Sequence, residues 1–302
     1  MADSPKRYIP SYKRSAEPPP MRLTARDRNI ILAVYRYRLL SAHQVEALLF
    51  RSEKPHGKRT VCQRRLQLLY HHGFLERLPS PIFLGEGRQP YVYALARRGA
   101  DLLATELDRD RADIGWQPKY NQVGISFVQH TLAINDVRLV LTLLAEDGRW
   151  QLTQWLDESD FRTAEFQDKV PYRVQGARMT RIFPDGYFTL QLPHLKQEAH
   201  FFLEVDQGTM SNKLWQDKMK AYYQFRQNGL SEQLYGTRNF RLLAVVNSRQ
   251  RLTNLKRATE RVGGDRYYWF TTQATFDIWQ PETLLTAPWA IAAQEAEHPL
   301  FD

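Results

Sequence analysis

Cysteine is almost missing from this chain. Its 302 residues include one, Cys62, which excludes a disulfide framework and any zinc site built on paired thiolates. So little cysteine fits a reducing, cytoplasmic compartment. No apolar run approaches the roughly 20 residues of a membrane-spanning helix, and no signal peptide opens the sequence, so no membrane role is expected. There is no Gly-rich phosphate loop and no Ser-His-Asp order, which argues against an ATPase and a serine hydrolase. Gly263-Gly264-Asp265 reads only as a turn. Internal repeats and low-complexity tracts are absent as well.

What is present is a chain long enough for two domains. Hydrophobic residues make up 43% and aromatic residues 12%, enough to build a sizeable core. The net charge of +9 is unevenly placed. Residues 1–110 carry 20 Lys and Arg against 11 Asp and Glu, whereas residues 111–302 carry 22 of each. The whole excess therefore sits in the first third, as expected of a domain that meets a polyanion, most often nucleic acid.

Residues 1–22 are dominated by proline and charge and read as a flexible basic arm. Thr24, with Asp27 three residues on, opens a first helix with an apolar stripe of Ile30, Ile31, Val34 and Tyr37. Ser41 with Gln44 opens a second, burying Val45, Leu48 and Leu49. A third helix runs from about Arg59 to His72 and stops at Gly73. Val61, Leu66, Leu69 and Tyr70 fall on one side of it, and Arg59, Thr60, Gln63, Arg64, Gln67 and His71 on the other. Two short strand-like runs, F-L-E-R-L and Y-V-Y-A-L, follow, and a fourth helix begins near Arg97. Three helices and a hairpin over 23–107 are the order of a winged helix-turn-helix, which places the third helix in the major groove of double-stranded DNA. Lys58, Arg59, Thr60, Gln63, Arg64 and Gln67 on that helix, and Arg88 between the strands, are the candidate DNA contacts. Arg suits guanine edges and phosphates, Gln suits adenine, and Thr suits small contacts.

Residues 108–124 read as a linker. A long helix over about 126–146 carries His130 and Asp136. Further on, R-I-F-P-D-G-Y-F-T-L-Q-L and H-F-F-L-E-V-D-Q-G-T form two strands, with a polar helix over 211–228 behind them. Glu204 and Asp206 stand two apart and so share a strand face. If the two runs pair as a hairpin, Asp185 approaches that face. Three carboxylates at one place need a cation, and an oxygen-only set suits Mg²⁺ or Mn²⁺. F-R-L-L-A-V-V is apolar enough for a buried parallel strand. A helix from 248 or 249 to 262 and a last strand from Tyr267 to Thr271 complete the order helix, strand, strand, strand, helix, strand over 125–275. Residues 276–302 read as a tail.

That order, with Pro184-Asp185 on the second strand and Glu204 on the third, resembles the PD-(D/E)XK nuclease superfamily. H-T-L-A-I-N-D-V-R-L at 130–139, P-D-G-Y-F at 184–188 and F-L-E-V-D-Q-G-T at 202–209 more closely resemble the replication-relaxation family, bacterial proteins linked to plasmid replication and DNA relaxation. The resemblance implies an α/β protein: a winged helix-turn-helix followed by a restriction-endonuclease-like αβββαβ core. It implies Asp185 and Glu204 as ligands of Mg²⁺ or Mn²⁺ in a DNA endonuclease or nickase, with Asp206, from the strand alternation, as a candidate third ligand. The superfamily pattern wants a lysine two residues after the glutamate, where this chain has Asp206. Lys218 on the following helix, four residues before Tyr222 on the same face, is the substitute. His130, Asp136 and Tyr222 are possible accessory groups. Three readings stay open: a metal-dependent endonuclease or nickase, a non-catalytic DNA-binding regulator or replication accessory factor, and an assembly protein that uses both domains as protein contacts, each compatible with a homodimer or a larger nucleoprotein complex.

Overall fold

The computed structural model describes residues 13–51, 58–79, 90–175, 178–193 and 198–301. The chain divides into two compact units, 1–135 and 136–302.

In the first unit Thr24 caps α1 (Ala25–Arg36), with its hydroxyl and Asp27 forming a reciprocal capping box. Ser41 and Gln44 do the same for α2 (Ala42–Leu49), which follows β1 (Leu39–Ser41) directly. α3 (Lys58–His71), β2 (Leu75–Leu78), β3 (Val92–Leu95) and α4 (Arg97–Glu106) complete the set. The strands form one antiparallel sheet in the order β1-β3-β2. The expected order of three helices, a β2–β3 hairpin and a fourth helix is present, with β1 as an additional strand.

Four sequence expectations change here. α3 buries Leu66, Leu69 and Tyr70 as expected, but it also buries Cys62, exposes Val61 and turns His71 inward. The segment before α1 is no free arm from residue 13 on. Arg14 donates to the carbonyls of Tyr70 and Leu75, and the Ser15 amide donates to His71 Nδ1. Residues 108–124 do not behave as a linker, since Ile114 is buried and Asn121 donates to the Leu95 carbonyl. α5 (Ile125–Glu146) then continues into this unit's core through Val128, which packs with Leu39, Leu78, Val92 and Ala94. The division between units falls inside α5 because Asn135 is itself committed here, donating to the carbonyls of Tyr37 and Leu39.

The second unit is built on a mixed seven-stranded sheet. Its elements in chain order are β4 (Gln151–Asp157), α6 (Glu158–Phe161), β5 (Tyr172–Gln175), β6 (Arg178–Arg181), β7 (Gly186–Gln191), β8 (Glu198–Asp206), α7 (Asn212–Gln227), α8 (Leu230–Tyr235), β9 (Phe240–Val246), α9 (Arg249–Glu260), β10 (Tyr268–Thr272), α10 (Thr283–Thr286), β11 (Trp289–Ile291) and β12 (Glu297–His298). The sheet order is β12-β11-β10-β9-β8-β7-β4. β4, β7 and β8 are antiparallel, whereas β8, β9 and β10 run parallel. The αβββαβ order is therefore present, with the apolar β9 at the centre, where both faces are covered.

The stretch 276–302 is not a tail. β11 and β12 extend the sheet, and Trp289 and Leu300 are buried. The segment 157–177, irregular in the sequence reading, contains α6 and β5, the latter paired with β6 as a separate hairpin. One face of the sheet carries an aromatic core of Tyr187, Phe202, Tyr222, Phe225 and Phe240. Each such side chain contributes about 1.5–3 kcal/mol by leaving water. That core anchors α7 over β8 and so fixes what α7 presents to the strand.

Candidate active site

Alternation along β8 sends Phe202, Glu204 and Asp206 to one face. The β7–β8 register pairs Gly186 with Leu203, so one step further along the ladder Asp185 stands opposite Glu204. Residues directly opposite in an antiparallel pair share a face. Asp185 is held there by its backbone: its amide donates to the Leu203 carbonyl at 3.1 Å, and its Oδ2 accepts from the Val205 amide at 2.7 Å. Pro184 before it and Gly186 after it end the irregular approach and start the strand. Asp185 is half-buried, Glu204 fully so.

α7 supplies the rest. Ser211 caps it through the Leu214 amide. Lys218 and Tyr222, one turn apart, both reach the Glu204 carboxylate: the Lys218 ammonium donates to Oε2, and the Tyr222 hydroxyl donates to Oε1 at 2.6 Å. Burial pushes the Glu204 carboxyl up to about 7, with Lys218 opposing the shift and Asp185 adding to it. For Lys218 burial works toward the neutral amine, but Glu204 and Asp185 outweigh it and keep the ammonium charged. Two carboxylates and one ammonium thus form a single electrostatic group. The Tyr222 hydroxyl, buried against a carboxylate, is pushed well above its ordinary range and stays a donor.

Asp206 does not join them. It shares the strand face with Glu204, but Arg251 from α9 grips it with two parallel hydrogen bonds, Nε to Oδ2 at 2.7 Å and Nη2 to Oδ1 at 3.1 Å. The Gly208 amide adds a third at 2.9 Å. Gly208 has φ +83, where a Cβ would also meet Asn247 at 2.9 Å, so only glycine brings that amide back to the carboxylate. The expected three-carboxylate cluster is accordingly a pair. Among the described residues no group of three or more His, Cys, Asp or Glu could hold a metal ion. Strand alternation fixes the face of Asp206 but not its partner.

A model of one protein family, replication-relaxation, matches residues 32–241. The chain belongs to the replication-relaxation family. No curated protein matches it. Among solved structures it is similar to the restriction endonuclease FokI, at 13% identity over 85% of this chain and 44% of that chain, with a TM-score of 0.28. The chain spans less than half the length of that enzyme.

The replication-relaxation match takes in Asp185, Glu204, Lys218 and Tyr222 but ends before α9, so Arg251 lies outside it. Sequence reasoning missed Arg251, which has no local spacing relation to Asp206. His130 belongs to the first unit and Asp136 to the second. Both are half-buried on α5. On α3, Thr60, Gln63 and Arg64 are exposed beside Val61, while Gln67 is half-buried. The side chains of Lys58 and Arg59, and the whole of Arg88, lie outside the described residues.

Proposed function

We propose that this chain is a DNA-binding protein of the replication-relaxation type, with a winged-helix unit that docks on duplex DNA and a second unit that cleaves a phosphodiester with a divalent ion. The observation that carries the catalytic half is the convergence of Asp185, Glu204 and Lys218. The lysine missing two residues after the glutamate is supplied from α7 at the same carboxylate.

The donor set fits Mg²⁺ or Mn²⁺. It is all oxygen, and Mg²⁺ is commonly held by one or two carboxylates with water and substrate phosphate completing the shell. Asp185 and Glu204 are the residues that would hold it. Such an ion, when bound, polarises the scissile phosphate and acidifies a water. Tyr222 fixes one Glu204 oxygen and so orients the carboxylate. Lys218 carries positive charge to the place where phosphate charge must be balanced. Asp206 and Arg251 hold the end of β8 and the start of α7 in register, since Arg251 also donates to the Met210 carbonyl.

The docking half rests on charge and on α3. The first unit carries 22 Lys and Arg against 12 Asp and Glu. Exposed Thr60, Gln63 and Arg64 give α3 the groups that read base edges and phosphates. The single thiol, Cys62, is buried in α3, and burial pushes it up to about 12. That makes it inert and suits a reducing cytosol. No described helix is long and apolar enough to cross a membrane.

A second reading, a non-catalytic DNA-binding factor, draws on one observation: both Glu204 oxygens already have donors. The two readings separate in one experiment. Millimolar Mn²⁺ is added to the wild type, to Glu204→Gln and to Lys218→Ala, with melting temperature and cleavage of supercoiled DNA both followed. The nuclease reading expects a metal-induced rise in the wild type that Glu204→Gln loses. It expects Lys218→Ala to keep the rise and lose cleavage. A wild type with neither rise nor cleavage leaves the non-catalytic factor.

A further inference from the structure

The second unit has no net positive charge to offer a polyanion, with 20 Lys and Arg against 21 Asp and Glu. Yet three of its arginines gather around one open cavity of about 490 Å³, lined by Arg226, Gln227, Arg238, Asn239, Asp265, Arg266 and Tyr267. This cavity is distinct from the Asp185–Glu204 group. Asn239 and Tyr267 immediately precede β9 and β10, at the ends of the parallel strands where the β8 neighbour is His200. Glu204 pairs with Ala244, four strand positions further on, or about 13 Å at the ordinary rise.

The cavity is organised for an anion. Its one lining carboxylate, Asp265, is neutralised by the buried Arg226, whose two terminal nitrogens both bond it, and it also accepts from the Tyr267 amide at 3.2 Å. Arg226 lies over the Tyr267 ring at 3.9 Å from its centroid. Asp265 and Arg226 therefore form a fixed, charge-balanced floor with an aromatic wall. Arg266 donates to the Tyr267 hydroxyl at 3.2 Å and is exposed at the rim. Arg238 is paired with Glu232, but the two side chains are 60% and 55% exposed. An exposed pair of that kind is worth little and can exchange its partner at small cost. Gln227 and Asn239 add amide groups at the rim. Gln227 also ends an exposed line on α7 made with Lys220 and Gln224, so the polar surface continues beyond the cavity as an extended ligand would need.

We infer that this cavity binds a phosphate of a nucleic-acid backbone, with Arg238 and Arg266 as the contacting groups and Arg226–Asp265 as the scaffold. The planar guanidinium is the side chain best matched to phosphate oxygens. The inference rests on the nucleic-acid partner proposed above, and the test separates the two. Binding of the full chain to duplex DNA is measured against salt for the wild type, for Arg64→Ala and for Arg238→Gln with Arg266→Gln. The melting temperature of each is read with and without inorganic phosphate. The double variant should flatten the salt dependence by about two and lose affinity on the order of tenfold, while melting normally in phosphate-free buffer. An unchanged slope in that variant, with binding weakened by Arg64→Ala, overturns this site and leaves the DNA partner standing. A wild type that binds no DNA overturns the backbone assignment. In that case a phosphate-induced rise in melting temperature that the double variant lacks supports the phosphate site with free phosphate as its source. No rise overturns the site altogether.

Discussion

Glu204 and Asp206 stand two residues apart on one strand and on one face, yet they have become different objects. Glu204 lies under a helix that offers it a lysine and a tyrosine, with Asp185 across the ladder. Asp206 is held in a two-pronged grip by an arginine from another helix and by a turn amide. The first arrangement leaves two carboxylates sharing one ammonium, an excess of negative charge that a cation would offset. The second is closed, with one charge on each side and every strong donor used. A carboxylate's role here follows from what the neighbouring helix carries and not from its place on the strand.

The sharpest way to break this comparison is to remove Asp206. A buried pair stripped of one member leaves an uncompensated charge. Asp206→Ala should therefore lower unfolding free energy by about 3–5 kcal/mol in urea denaturation, while a metal-induced rise in melting temperature survives in the less stable variant. If the rise vanished along with Asp206, the two carboxylates would be one site after all.

Asp27 in the first unit supplies an independent example of the closed type. It is fully buried and bonded by Arg65 and Thr24. Burial would raise its carboxyl, but those bonds outweigh burial and hold it below its ordinary value. A depressed carboxyl contributes stability that is complete above the unfolded value and disappears as pH falls through the folded one. The gap in stability between the wild type and Asp27→Asn should then be about 3 kcal/mol at pH 7. It should stay constant down to about pH 5 and shrink below about pH 4, as followed by thermal melts across that range. A gap that narrowed already between pH 7 and 6 would show a different group at work.

A smaller effect is expected at Glu204. Glu204→Gln removes a buried charge but keeps an acceptor for Tyr222, and Lys218 still has Asp185 nearby. The change in stability should stay within about 2 kcal/mol, less than for Asp206→Ala. An equal or larger loss in denaturant melts would mean that Glu204 is as structural as Asp206.

Smallest of all is Tyr222→Phe, which deletes one hydrogen bond from a side chain otherwise buried in the aromatic core. About 1 kcal/mol is expected, with the wild-type response to Mn²⁺ retained but weakened, because one Glu204 oxygen loses its fixed orientation. An unaltered metal response would remove Tyr222 from the site.

Much of this is legible in the sequence. Capping pairs at Thr24 and Ser41 marked the starts of α1 and α2 through local hydrogen bonds that need only three residues of sequence. Strand alternation put Glu204 and Asp206 on one face, and helical spacing put Lys218 beside Tyr222. These relations are short in sequence, so local geometry alone fixes them. Arg251 finds Asp206 across 45 residues, through a crossover between parallel strands whose spacing carries no such signal. The phase of α3 was settled by packing, which took Cys62 inward and left Val61 outside although valine is the more obvious core residue. The last strands, β11 and β12, are three and two residues long, too short to show a period, and only pairing defines them, β11 with β10 and β12 with β11. The sequence by itself determined which carboxylates share a face. The tertiary structure alone decided which helix covers each of them, because that depends on long-range packing of an aromatic core that no local pattern encodes.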